Sequence, residues 1–225
     1  MDGKTPTQGR TSRTNARCLT QHKTKVYPPR RKDLFMNVQD ELITRNQEFS
    51  AGFDSAGLPI LPKLRTVVLT CGDARVDPAH ILGLELGDAV VIRNNGGRVT
   101  RAAIEEIATL AFLVSAMTEG REEGFNVILM QHTQCGAERL SNPDLQDALL
   151  KKLGIDVSEY AITDQESDLS ADIKRLAAAP EVPDAITVSA LLYDVATGKA
   201  QEITPAASLG TTRAEASVSQ TAARA

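Results

Sequence analysis

Thr66-Val67-Val68-Leu69-Thr70-Cys71-Gly72-Asp73-Ala74-Arg75 opens as a β-branched apolar run and closes on a thiol, a glycine, a carboxylate and a guanidinium. Its apolar half does not alternate with polar residues, so it reads as a strand buried on both faces, as in a parallel sheet. The same signature recurs at Ala89-Val90-Val91-Ile92, at residues 126–131 and at residues 186–193. Helical patterns separate these runs. Residues 37–53 place Val38, Leu42, Phe49 and Phe53 on one side. Thr100 is set to cap a helix carrying Ile104, Ile107, Ala111 and Val114, with Gly120 to end it. Asn142-Pro143 starts another that Gly154 closes, and residues 167–179 supply a third before Pro180. Alternating strands and helices imply right-handed crossovers and an α/β fold. The expectation is one domain with a mainly parallel central sheet flanked by helices. Its last strand, residues 200–204, returns antiparallel through the turn Ala196-Thr197-Gly198-Lys199.

Composition narrows the classes of function. Of 225 residues, 42% are hydrophobic and 24% charged, the mix of a chain with a packed core. No window approaches the roughly 18 uninterrupted apolar residues of a membrane span. Three cysteines do not make a disulfide scaffold, and their odd number suits a reducing compartment. The net charge of −4 makes no case for nucleic acid, but it is unevenly spread. Residues 1–32 hold nine Lys or Arg against one Asp, a balance of +8, and the remainder stands at −12. Residues 1–33 are therefore read as a basic arm or tail, solvated or laid on a partner subunit. A polyanion-binding tail, an organellar transit peptide spanning residues 1–35 and sequence upstream of a start at Met36 are the other readings. Residues 34–205 form the folded domain, and 206–225, poor in apolar bulk, are expected to be a loose tail.

Open parallel sheets carry their functional groups just beyond the carboxyl ends of their strands. Those ends read Cys71-Gly72-Asp73-Ala74-Arg75, Arg93-Asn94-Asn95-Gly96-Gly97-Arg98 and His132-Thr133-Gln134-Cys135-Gly136. An imidazole and a thiolate three residues apart, with a second thiolate from an adjacent strand, suit zinc. Three protein ligands leave the fourth position open, which is the catalytic pattern. Asp73 can either close that position or, held off by Arg75, accept a hydrogen bond from water there; an ordinary surface ion pair is the plain alternative. Asn95-Gly96-Gly97 lacks the spacing of a phosphate loop and suits close backbone approach to a small ligand or a partner subunit. His80 and His22 are given no role.

Taken in order, Cys-x-Asp-x-Arg, Arg-Asn-x-Gly-Gly and His-x-x-Cys-Gly, followed by Leu192-Tyr193-Asp194-Val195-Ala196-Thr197-Gly198, resemble the beta class of carbonic anhydrases, in its compact microbial form, over about residues 34–204. The resemblance implies one Zn2+ per chain on Cys71, His132 and Cys135, a catalytic dyad of Asp73 and Arg75, and a substrate pocket at Asn95, Gly96 and Gly97. It implies a homodimer or a dimer of dimers, with the N-terminal helix packed on the partner. Two departures stand out: Asn95 where the family usually has Ala, and Ser189-Ala190 in place of a small-residue and Gly pattern.

The activity implied is reversible hydration of carbon dioxide to bicarbonate by zinc-bound hydroxide. Two thiolate ligands weaken zinc as a Lewis acid, so its rate should rise above pH 7. The same scaffold can instead hydrolyse carbonyl sulfide or carbon disulfide. From another class, a non-catalytic zinc protein would have Asp73 closing the site. The expected location is cytoplasmic, or organellar if residues 1–35 are a transit peptide; no membrane partner is expected, and nucleic acid is not a favoured one.

Overall fold

The computed structural model describes residues 37–120 and 125–222. The basic arm of residues 1–33, with Cys18 and His22, lies outside them. Two compact units emerge, Met1–Phe53 and Asp54–Ala225. In the first, Asn37 caps helix α1 (Val38–Ser50) by accepting from the Asp40 N–H at 3.0 Å. None of the residues of α1 is buried, and Phe49 and Phe53 pair their rings at 5.7 Å.

The second unit is built on a five-stranded sheet in the order β2-β1-β3-β4-β5. Its strands are β1 (Thr66–Cys71), β2 (Val90–Asn94), β3 (Asn126–His132), β4 (Thr187–Asp194) and β5 (Lys199–Ser208). The first three pairings are parallel and the last antiparallel, as the connection lengths require: parallel neighbours need a crossover, and β5 follows a short turn. All of β1 is buried. β2 departs from the expectation of two buried faces: it is the edge strand, and Val91 is exposed.

Alternate residues of the central strands point into two cores. Val67, Leu69, Val127, Leu129, Val188 and Ala190 face α3 (Arg101–Met117) and α5 (Gln165–Ala178), meeting Ile104, Ile107, Leu169, Ile173 and Leu176. Val68 and Met130 face the other way, onto Val76, Ile81 and Leu82 around the short helix α2 (Pro78–Leu82). The capping expectations hold. Thr100 accepts from Ala103 N–H at 3.3 Å, and Asn142 accepts from Asp144 N–H at 2.8 Å to start α4 (Pro143–Leu153). α5 begins slightly earlier than its pattern suggests, because Asp164 caps it.

The C-terminal segment corrects the sequence reading. Residues 206–222 are not loose: they complete β5 and form helix α6 (Leu209–Ala222). Leu209 and Arg213 attach it, with the N–H groups of Leu209 and Gly210 donating to Ile186 O and Asp184 O. Leu209 is fully buried. Arg213 donates to the carbonyls of Ala177 (2.6 Å), Ala179 and Val182 (both 2.8 Å) and pairs with Asp184. Ala177 and Ala179 close α5, where a cation is favourable, and Val182 lies in the loop beyond it. Such an attachment leaves no periodic apolar trace in the sequence.

Candidate metal centre

The parallel register Thr70↔Met130 brings the ends of β1 and β3 side by side, and with them Cys71 and His132. Past β3 the chain turns sharply through Gln134, which takes φ 55°. That left-handed conformation costs roughly 1–2 kcal/mol for a residue with a side chain; it is followed by Cys135, whose backbone N–H is held by Glu138 Oε1 at 3.1 Å. The Sγ atoms of Cys71 and Cys135 lie 3.8 Å apart. With a ring nitrogen of His132 they form a group of three donor atoms, all within 4.8 Å of one another and on buried residues.

The donors are poised for a cation. His132 Nδ1 lies 2.9 Å from Thr133 O. A carbonyl can only accept, so Nδ1 carries the proton and Nε2 keeps its lone pair. Nε2 is buried and has no hydrogen-bond partner, the kind of orphan that a metal ion satisfies. Cys71 is pushed well below the usual thiol range, first by the hydrogen bond from the Cys135 thiol, against burial, with the backbone of Asp73 and Gly96 adding to it. Cys135 moves up in return, because Cys71 takes its hydrogen bond and burial adds to the effect. The pair thus favours a thiolate at Cys71 over one at Cys135, and a divalent cation would hold both as thiolates. Two thiolates and an imidazole are a donor set that suits zinc.

Asp73 and Arg75 stand beside this group. Asp73 Oδ1 accepts from Arg75 N–H at 2.9 Å and Nε at 3.0 Å, and Oδ2 accepts from Nη2 at 2.7 Å. This fork holds the Asp73 carboxyl far below the usual carboxylate range, the side-chain bond contributing most. Arg75 Nη2 also donates to Gln134 O at 2.9 Å, tying the two donor-bearing loops together. Oδ2 sits 3.9 Å from His132 Nε2. A cavity of about 380 Å3 opens over the group, between Asp73 and Asn95 on its polar side and Ala137 and Leu140 on its apolar side. Gly72, Gly96 and Gly136 complete its wall, so backbone rather than side chains faces the space. Gly97, placed in the pocket by the sequence reading, is buried against the backbone of β1 instead.

Two arginines had no assigned role. Arg93 donates to the carbonyls of Cys71 (3.0 Å), Asp73 (2.7 Å) and Val76 (2.8 Å), fixing the loop that follows β1. Arg98 is buried and reaches Asp172 and Asp168 on α5. Arg93 stands out as a charge inside an otherwise apolar strand; Asp172 gives no comparable signal, being one acid among several on its helix.

A Cys–His–Cys donor group thus gathers beyond two neighbouring strand ends of this sheet. The model of the family described as carbonic anhydrase matches residues 66–200, and the chain belongs to that family. It is 32% identical over 172 residues to beta-carbonic anhydrase 1 of Mycobacterium tuberculosis (strain ATCC 25618 / H37Rv), which covers 76% of this chain and 100% of that protein. It resembles the crystal structure of carbonic anhydrase from Streptococcus mutans with a TM-score of 0.63 and 34% identity, covering 76% of this chain and 99% of that one. It is also 34% identical over 125 residues to carbon disulfide hydrolase of Saccharolobus solfataricus, 55% of this chain and 54% of that protein.

Proposed function

We propose that the protein hydrates carbon dioxide reversibly to bicarbonate and a proton, with one zinc ion per chain held by Cys71, His132 and Cys135. The observation that carries this reading is the buried donor group with a fork-bound carboxylate at its side. Bound zinc supplies a Lewis acid that lets water attack carbon near neutral pH. Asp73 does the orienting. Its Oδ1 is taken by two donors and Oδ2 by one, so the spare acceptor capacity lies on Oδ2, nearest His132. There it accepts a hydrogen bond from the attacking water and sets the direction of its lone pair. Arg75 keeps Asp73 ionised and occupied, which supports an open fourth position over a site closed by Asp73. The glycine walls admit a small linear substrate to within contact of the donors.

The similarity to a carbon disulfide hydrolase favours a second reading, hydrolysis of carbon disulfide or carbonyl sulfide by the same residues. The Asn95 amide at the cavity edge supports carbon dioxide, because its NH2 can donate to the oxygens of the bicarbonate product. The test is kcat/KM for carbon dioxide, carbonyl sulfide and carbon disulfide on one zinc-quantified preparation at about pH 8.5. Carbon dioxide should be turned over fastest. A preference for a sulfur substrate would keep the site and change the function, and silence towards all three with zinc bound would sink the enzymatic reading.

The proposal extends to assembly as a homodimer or a dimer of dimers. Phe112, Leu113 and Met117 on α3 and Val91 on the edge strand are exposed apolar groups that a second copy would cover. Light scattering on the full chain should give at least twice the chain mass. No helix among the described residues is long and apolar enough to cross a membrane. The reading places the protein in the cytoplasm, where thiols stay reduced, or in an organelle if residues 1–35 are a transit peptide.

A further inference from the structure

The segment Asn94–Arg98 lies against the end of β1 more closely than side chains allow. A β-carbon on Gly97 would come within 2.9 Å of Thr70 C, 3.0 Å of Cys71 N and 3.1 Å of Thr70 Cα, all backbone atoms that cannot yield. On the other side, a β-carbon on Gly96 would meet Tyr160 O at 2.9 Å and Ala137 Cβ at 3.2 Å. The two glycines therefore fill a slot between the strand that carries Cys71 and the turn that follows Cys135. From this slot the segment abuts the backbone of Cys71 itself.

Two devices hold the segment in place. Asn94 closes it on itself: its Oδ1 accepts from Arg98 N–H at 2.9 Å, and its Nδ2 donates to Arg98 O at 2.8 Å. The Arg98 side chain then anchors it to α5. Nε and Nη2 fork onto Asp172 at 2.8 and 3.1 Å, and Nη1 reaches Asp168 at 3.2 Å and the carbonyl of Ala161. Asp172 Oδ2 also accepts from Val99 N–H at 3.2 Å. Both partners are buried, Asp172 completely and Arg98 to 6% exposure. Buried ion pairs add little stability over apolar filling of the same volume; what a forked guanidinium–carboxylate pair adds is fixed direction.

We propose that Arg98, locked by Asp172, is a positioning residue of the metal centre: it holds the Gly96-Gly97 segment against the strand end that carries Cys71 and so fixes where that sulfur stands. The inference rests on Cys71 being a ligand, as proposed above. Outer partners that fix a ligand's place typically govern metal affinity by about 10–100-fold. Arg98 touches neither substrate nor metal, and acts only through the loop.

The test compares the full-length wild type with Arg98→Lys, Asp172→Asn and Asp168→Asn. Arg213→Met serves as a control that disturbs the far end of α5. Each is loaded with zinc and, separately, with cobalt(II). The measurements are the zinc dissociation constant by chelator competition, the thiolate-to-cobalt charge-transfer band, and the melting temperature without metal. Arg98→Lys and Asp172→Asn should weaken zinc by about tenfold or more and move the cobalt band. Asp168→Asn, the mildest change, should do so to a smaller degree if the other two fail to fold. Arg213→Met should lower the melting temperature while leaving both metal readouts at wild-type values. Wild-type zinc affinity and an unmoved band in the folded Arg98 and Asp172 variants, or in Asp168→Asn if those do not fold, would overturn the proposal alone. So would an equal loss in Arg213→Met, since the effect would then be general destabilisation. A wild-type chain that takes up neither metal would overturn the metal reading as well.

Discussion

Asp73 and Asn95 face the same cavity and call for different measurements. Asp73→Asn keeps the shape but removes the charge that accepts from water, so zinc content should stay near one per chain while kcat falls by about 100-fold or more. Full turnover in that variant would refute the orienting role. Cys135→Ala removes a donor outright and should lose the metal itself, which elemental analysis would show. Asn95 places an amide at the cavity edge where the resemblance leads one to expect Ala. Asn95→Ala should raise KM for bicarbonate about fivefold, the worth of one hydrogen bond of about 1 kcal/mol. It should leave kcat for hydration nearly unchanged, because carbon dioxide is a poor acceptor. The residues that bear the chemistry were legible in the chain because they are rare types at strand ends: two of three cysteines and a histidine. Arg98 and Asp172 were not. A charge that turns inward on a helix with three acidic residues, Glu166, Asp168 and Asp172, and an acidic cap, Asp164, looks in sequence like one more solvated group.

Among the elements, helix starts were the easiest to read. Thr100 and Asn142 cap through side-chain oxygens, a local interaction that short-range sequence can report, whereas the cap at Asp164 was passed over for a start at residue 167. Helix α6 was hidden because tertiary contacts fix it: Leu209 beneath it and Arg213 on the end of α5. Leu209→Ala should cost about 2–5 kcal/mol in chemical denaturation, far more than expected of a tail. The edge position of β2 was also invisible, since strand order depends on crossovers and not on the run Val90-Val91-Ile92. Gly97→Ala tests the tightest contact between elements. It should destabilise the fold and reduce zinc uptake together, because the added carbon must push the loop off β1.

For the molecule as a whole, the two large cores and the donor group are separate. Cys71 and Cys135 pack with Ala137 and Ile162 in a small cluster of their own, while α3, α5 and the sheet bury their apolar faces elsewhere. Stripping zinc with a chelator should therefore leave the far-ultraviolet dichroism intact and lower the melting temperature by the binding contribution alone. Its acid response follows from carboxylates held below their ordinary range: Asp73 by Arg75, Asp164 by Ser167, Asp194 by Thr197 and Ala196. A depressed folded-state pKa adds stability above the unfolded value near 4 and loses it as pH falls through the folded value. These groups should therefore leave the melting temperature level from about pH 5 to pH 8 and lower it below about pH 4. Activity changes within the level range would belong to groups other than Asp73.

The spacing of the donors has a consequence in time. Cys71 and Cys135 are 64 positions apart, and ribosomes add about 5–20 residues per second. For roughly 3–13 seconds of synthesis the first thiol exists without the second, and a cation that meets it then finds one sulfur. The donor group is thus assembled only once β3 has taken its place beside β1, while β4 and β5 are still to be made, and a cation taken up then would meet a sheet of three strands.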